Sequence, residues 1–129
     1  MKKLVYIIIF LLCCSSISFA FNRDGNELLT TINKYLHKEN IKELSHIEKI
    51  QTTYVFGLIK GISFSFALHD VYYKEKNINC TTVQTMKPIQ HVRIIQKFLE
   101  EHPALLTGSD SMLIWLALKT ACKNIPPNN

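Results

Sequence analysis

SHIEKIQTTYVFGLIKGISFSFALHD, residues 45–70, is the stretch from which the fold can be read. It opens on Ser45 and Glu48, an S-x-x-E pattern in which the hydroxyl accepts from the Glu48 amide and the carboxylate accepts from the Ser45 amide. A helix is therefore expected from His46. Ile47, Ile50, Tyr54, Leu58, Ile62, Ser65 and Phe66 recur at helical spacing, and Val55, Phe56, Ile59, Phe64 and Leu68 widen the stripe until the later half is apolar nearly all round. This predicts the central and most buried helix. Gly57 and Gly61, four apart, leave one patch of bare backbone that another helix can approach. Two readings of that patch stand: close packing inside the monomer, which the weakness of the spacing as a signal in a soluble protein favours, and a contact between two copies.

Working outward, the N-terminal neighbour begins near Asp24 and places Leu28, Leu29, Ile32, Tyr35 and Leu36 on one face, ending around His37 to Asn40. On the other side, Val71, Tyr72 and Tyr73 lead into Lys74, Glu75, Lys76 and Asn77, an aromatic step into the longest expected loop, closed by Cys80. Pro88 suits the first turn of a third helix with Ile89, Val92, Ile95, Phe98 and Leu99 facing inward, stopped before Pro103. Thr107, Gly108, Ser109 and Asp110 offer caps for a last helix running through Met112, Leu113, Trp115, Leu116 and Leu118 to Cys122. No segment alternates cleanly, and no Asn-Gly or Asp-Gly joins two β-rich runs. The expectation is an all-α fold, a compact bundle of about four helices.

The chain's first twenty residues belong to a different context. Lys2 and Lys3 precede the apolar run Leu4 to Leu12, and Ser18-Phe19-Ala20 offers a small-x-small cleavage pattern, which reads as a signal peptide cut after Ala20. A transmembrane anchor is disfavoured because the run is well short of ~20 residues and is broken by Ser15, Ser16 and Ser18. Lipidation at Cys13 or Cys14 is disfavoured because Leu12 and Cys13 stand where a small residue is needed. The expected organisation is a leader at 1–20, a helical domain at 21–124 and a flexible tail at 125–129. The 109 residues after Ala20 suffice for one core.

Export to the periplasm would leave Cys80 and Cys122 as the remaining cysteines, and in an oxidising compartment they are expected to pair. Such a staple, closing a long loop, is worth roughly 4 kcal/mol on the chain-entropy model. Losing Lys2 and Lys3 takes the formal charge from +5 to +3, and the remaining basic residues are spread among acidic ones. Nucleic-acid binding is set aside on that ground, and no membrane association is expected once the leader is cleaved.

Catalytic signatures are missing from the sequence. No two of His37, His46, His69, His91 and His102 are three, four or five apart, so helix-borne metal ligands are not expected. His69 and Asp70, being adjacent on a helix, point apart. Ser63, Ser65, Ser109 and Ser111 lack a nucleophile elbow, and there is no glycine-rich phosphate loop. The reading is of a protein without catalytic residues, metal or cofactor.

The order Gly25-Asn26-Glu27-Leu28-Leu29, Tyr54-x-x-Gly57-x-x-x-Gly61, Cys80, the helix Ile89 to Leu99 with His102-Pro103, then Ala117-Leu118 and Cys122, resembles the Rap/Tai family of immunity proteins. The resemblance spans roughly Gly25 to Cys122. It departs from the family in having no second cysteine pair in the first two helices and in placing Pro88 eight residues after Cys80. What it implies is a periplasmic immunity protein that binds a peptidoglycan amidase toxin delivered by type VI secretion and blocks its cleft, together with a homodimer. Under that reading Tyr72, Tyr73, Lys74, Glu75 and Lys76 suit a protruding contact segment, because tyrosine gives large contact area at low entropy cost. The alternative for the two tyrosines is a cap on the core beneath the loop. The competing class is a periplasmic acid-stress chaperone, supported by the five histidines and opposed by a charged fraction of only 19%. A third is an exported interaction protein with another partner.

Overall fold

The computed structural model describes residues 23–38, 41–73 and 81–124. The leader, the tail, Lys74, Glu75, Lys76 and Cys80 lie outside the described residues. Among those described, the chain is all-α, with five helices: α1 (Gly25–His37), α2 (His46–Tyr73), α3 (Thr81–Thr85), α4 (Pro88–Glu101) and α5 (Asp110–Asn124). Short 3-10 turns at Ile41–Glu43 and Pro103–Leu105 precede α2 and α5. The fifth helix is α3, one turn long, which the expectation of about four did not include.

The helix starts follow local chemistry. Asp24 caps α1 by accepting from the Glu27 amide at 3.0 Å, which holds its carboxyl below the ordinary range. The Ser45–Glu48 box forms as expected, with the Ser45 amide 2.9 Å from Glu48 Oε2 and the Glu48 amide 3.3 Å from Ser45 Oγ. Pro88 opens α4, and Gln90 Oε1 accepts from the Lys87 amide at 2.8 Å. At its other end the His102 ring stacks on Phe98 with centroids 4.4 Å apart and its Nδ1 donates to the Phe98 carbonyl at 2.8 Å.

The core joins Leu28 and Ile32 of α1, Val55, Ile59 and Phe66 of α2, Val83 of α3, Val92, Ile95 and Leu99 of α4, and Leu113, Ile114, Ala117 and Leu118 of α5. At about 25 cal/mol per Å2 of apolar surface removed from water, each of these larger side chains contributes on the order of 2 kcal/mol. α4 and α5 pack most extensively, and α2 lies across α1, α3 and α5.

The expectation that α2 is the most buried helix is overturned. Its buried residues, Thr52, Val55, Ile59 and Phe66, mark one face, while Ile47, Ile50, Phe64 and Leu68 are exposed. The partners of α2 all sit on one side, and so cover one stripe of a helix apolar on both. Close packing against Gly57 and Gly61 fails for the same reason: a β-carbon at either would meet nothing within 4 Å. Tyr72 and Tyr73 also differ from expectation, since α2 continues through Tyr73 and the aromatic step is helical.

At the opposite end of the bundle the chain closes on itself. The Gly25 amide donates to the carbonyls of Leu106 and Gly108 at 2.8 and 3.1 Å, the Asp110 amide donates to the Arg23 carbonyl at 2.9 Å, and an isolated antiparallel bridge joins Asp24 to Ser109. This clasp needs bare backbone, because a β-carbon on Gly25 would lie 2.5 Å from Leu113 Cδ1 and 2.9 Å from the Leu106 backbone.

Candidate interaction surface

Three places on the molecule gather side chains that could act: a polar cluster at the clasp, a groove beside α2, and the apolar outer faces of α2 and α5. The cluster is buried. Arg23 and Asp110 are each 3% exposed. The Arg23 guanidinium donates to Glu27 Oε2 at 3.2 Å, to the Glu27 carbonyl at 3.1 Å and to Thr31 Oγ1. Asp110 Oδ1 accepts from the Ser111 amide at 2.6 Å, and its carboxylate accepts from the Tyr54 hydroxyl. Burial, and then the nearby Asp110 charge, push the Tyr54 hydroxyl above its ordinary range. Two of these bonds hold the backbone at the Glu27 carbonyl and the Ser111 amide, so the cluster organises the start of α1 and of α5 rather than presenting a nucleophile to solvent.

The groove is open and holds about 660 Å3. Phe56, Ser63 and Phe64 of α2 form one wall, and Met86, Pro88 and His91 at the α3–α4 corner form the other. His91 is 6% exposed, and its Nε2 donates to the Val83 carbonyl at 2.6 Å, tying α4 to α3. The groove is thus braced by a buried hydrogen bond, and its walls are mostly apolar. Of the polar lining atoms, Ser63 Oγ is buried without a hydrogen-bond partner. Lys60 stands at the rim.

Exposed apolar residues complete the surface. Ile47, Ile50, Phe64 and Leu68 lie on α2, and Met112 and Trp115 on α5. Trp115 leans on buried Phe66 with centroids 6.3 Å apart and carries the Lys119 ammonium 4.2 Å over its ring. Among the described residues no group of three or more His, Cys, Asp or Glu could hold a metal ion, and no helix is long and apolar enough to cross a membrane.

Of the sequence-predicted contact residues, Tyr72 and Tyr73 stand in the last turn of α2, whereas Lys74, Glu75 and Lys76 fall outside the described residues. Cys122 lies in α5, half-buried against the core, and its expected partner Cys80 is not among the described residues. Sequence reasoning did not single out Arg23, Met86 or His91. A signal for His91 exists, since it falls four before Ile95 on the inward stripe of α4; Arg23, one residue before the α1 cap, has none. No protein-family model, curated protein or solved structure matches the chain.

Proposed function

We propose that the protein is an exported binding domain of the Rap/Tai immunity kind: it seizes a peptidoglycan amidase toxin delivered into the periplasm by type VI secretion and occludes its cleft, with no chemistry of its own. The observation that carries this reading is the rigid, mostly apolar groove along the C-terminal half of α2, the half that ends at Tyr72 and Tyr73. Such a groove takes an apolar projection from a partner, and the aromatic rings of Phe56 and Phe64 that line it supply anchors. Export of the chain, cleavage after Ala20 and a Cys80–Cys122 staple belong to the same proposal.

The test uses the purified, oxidised protein as bait in lysate from a type VI-competent bacterium. Retention of a peptidoglycan amidase whose activity is lost in the complex is the expected result. An amidase that is retained but stays active refutes occlusion, and retention of many unrelated proteins only near pH 3 replaces the proposal with the acid-stress chaperone. Replacing both Tyr72 and Tyr73 by Ala is expected to weaken amidase binding at least tenfold, about 1.4 kcal/mol, with the helical circular-dichroism signal unchanged.

A further inference from the structure

The groove beside α2 is mostly apolar, yet what charge its walls carry is all of one sign. Phe56, Ile59, Phe64, Ala67, Met86 and Pro88 give it an apolar lining, and its volume of about 660 Å3 falls within the range of small-molecule sites. Two polar groups break that lining on the α2 side. Lys60 is exposed and makes no ion pair among the described residues. Ser63 Oγ is buried without a hydrogen-bond partner. Three residues apart on one helix, the two stand on the same side of α2 and can converge on one acceptor. The other polar lining groups are neutral or committed: Gln84 is an amide, and His91 Nε2 donates to the Val83 carbonyl. Neither stretch that forms the walls contains a carboxylate. Residues 50–69 hold Lys60 alone among charged residues, and residues 81–99 hold Lys87, Arg93 and Lys97. The nearest acidic residue on α2, Asp70, is about 15 Å along the helix from Lys60, beyond the ~8 Å screening length at physiological salt.

We infer that the groove binds a single-chain fatty acid, its carboxylate held by the Lys60 ammonium and the Ser63 hydroxyl and its alkyl chain laid against Phe56, Phe64, Met86 and Pro88. The distribution of polarity selects this occupant. One cation and one unpartnered hydroxyl gathered on a single wall match one anionic end, and the apolar remainder matches a body without polar atoms. A carboxylate also gives the Ser63 hydroxyl the acceptor that the fold does not supply. A cationic chain of the same length would meet Lys60 with no carboxylate to receive it. A peptide strand lying in the groove would bring amides and carbonyls along its whole length, and beyond Ser63 and Gln84 the lining offers them little. The source is the free acid and not a bilayer surface, because Lys60 is the one cation lining the groove among the described residues and a bilayer is held by several basic residues at once. The inference goes beyond the toxin-binding reading and stands without it, since the acid binds the protein alone.

Isothermal titration of the purified protein with dodecanoate, kept below its micellar concentration, reads the binding directly. A dissociation constant on the order of 10 µM is expected. Dodecyltrimethylammonium, with the same chain and the opposite charge, is expected to bind at least about tenfold more weakly. Lys60→Met keeps the apolar stem and removes the charge at an exposed position, so folding is not at risk. Its affinity for dodecanoate should fall about tenfold, and that of Ser63→Ala about threefold, while neither variant binds the cationic amphiphile more weakly than the parent does. Absence of dodecanoate binding at about 1 mM overturns the inference. So does equal affinity for the two amphiphiles, which would show an apolar slot without recognition of the head group. Dodecanoate affinity unchanged in both variants would place the acid elsewhere and overturn it too. Retention on phosphatidylglycerol vesicles without dodecanoate binding would replace the fatty acid by a bilayer surface. None of these outcomes bears on the amidase bait experiment, which uses no lipid.

Discussion

The four glycines of this chain divide into two pairs with opposite surroundings. Gly25 and Gly108 sit in the clasp, where a β-carbon would lie 2.5 Å from Leu113 Cδ1 in the first case and 2.5 Å from Met112 Cε in the second. Gly57 and Gly61 sit mid-helix with nothing within 4 Å. In the first pair the missing side chain is used inside the fold, letting one backbone hydrogen bond to another. In the second it is used by nothing in the monomer, although glycine costs a helix up to ~1 kcal/mol relative to alanine at each position. A glycine kept at a cost without an internal contact directs attention outward, to what approaches the helix from solvent.

The sharpest way to break this contrast is Gly25→Val. The added atoms would collide with Leu113 and with the Leu106 backbone, and a loss of about 3 kcal/mol or more is expected in urea denaturation. Next in size is Asp110→Ala, which removes the acceptor for the Ser111 amide and the Tyr54 hydroxyl at a 3% exposed site. A loss of about 2 kcal/mol is expected, because those donors would be left without a partner. Gly57→Ala moves the other way. Its methyl group meets open space, so the same denaturation on dilute protein is expected to show a gain of about 0.5–1 kcal/mol.

The smallest effect is one of pH dependence. Glu48 accepts from Lys38 at 2.9 Å and from the Ser45 amide, and the Lys38 bond first, then the Ser45 amide and hydroxyl, hold its carboxyl at about 2 instead of 4.5. A carboxyl lowered in the folded state stabilises above its unfolded value and loses that contribution as pH falls from 4.5 toward 2. The melting temperature of the wild type should therefore fall across that window more steeply than that of Glu48→Gln. Equal slopes would show that the pairing does not contribute to stability.

Much of the fold was legible because its signals are local. The helix start near Asp24, the Ser45–Glu48 box, Pro88 at the start of α4 and the stop before Pro103 each depend on residues within a turn of one another. The inward stripes of α1 and α4 were read from period alone. What escaped was relational. Val55 and Phe64 are equally apolar and both lie on α2, so nothing local says which of them the other helices will cover. The five residues of α3 are too few to display a helical period, and with α3 unseen the bond between His91 and the Val83 carbonyl could not be anticipated. Arg23 gives no hint of burial, because it is buried only where α1 meets the start of α5.

The candidate site divides in the same way. Tyr72 and Tyr73 stand out as an aromatic pair before a charged run, yet the groove between Phe56 on one wall and Met86 and Pro88 on the other brings together two stretches thirty residues apart. Only packing assembles it. The outer face of α2 was half visible: Gly57 and Gly61 marked it, but the expectation that this was the most buried helix concealed the exposure of Ile47, Ile50, Phe64 and Leu68.

The clasp also orders events in time. It joins the start of α1 to the turn before α5, so that Asn26 and the Leu106 carbonyl, eighty residues apart, come to share a hydrogen bond. Until that turn has been synthesised, α1 has nowhere to anchor its N-terminus, and closing so long a loop must wait on diffusion of the intervening chain. The whole stretch from α1 to the turn before α5 therefore exists before the clasp can close. A ribosome making this stretch holds an open thread through the first four helices, and the native topology locks only once the turn before α5 has emerged.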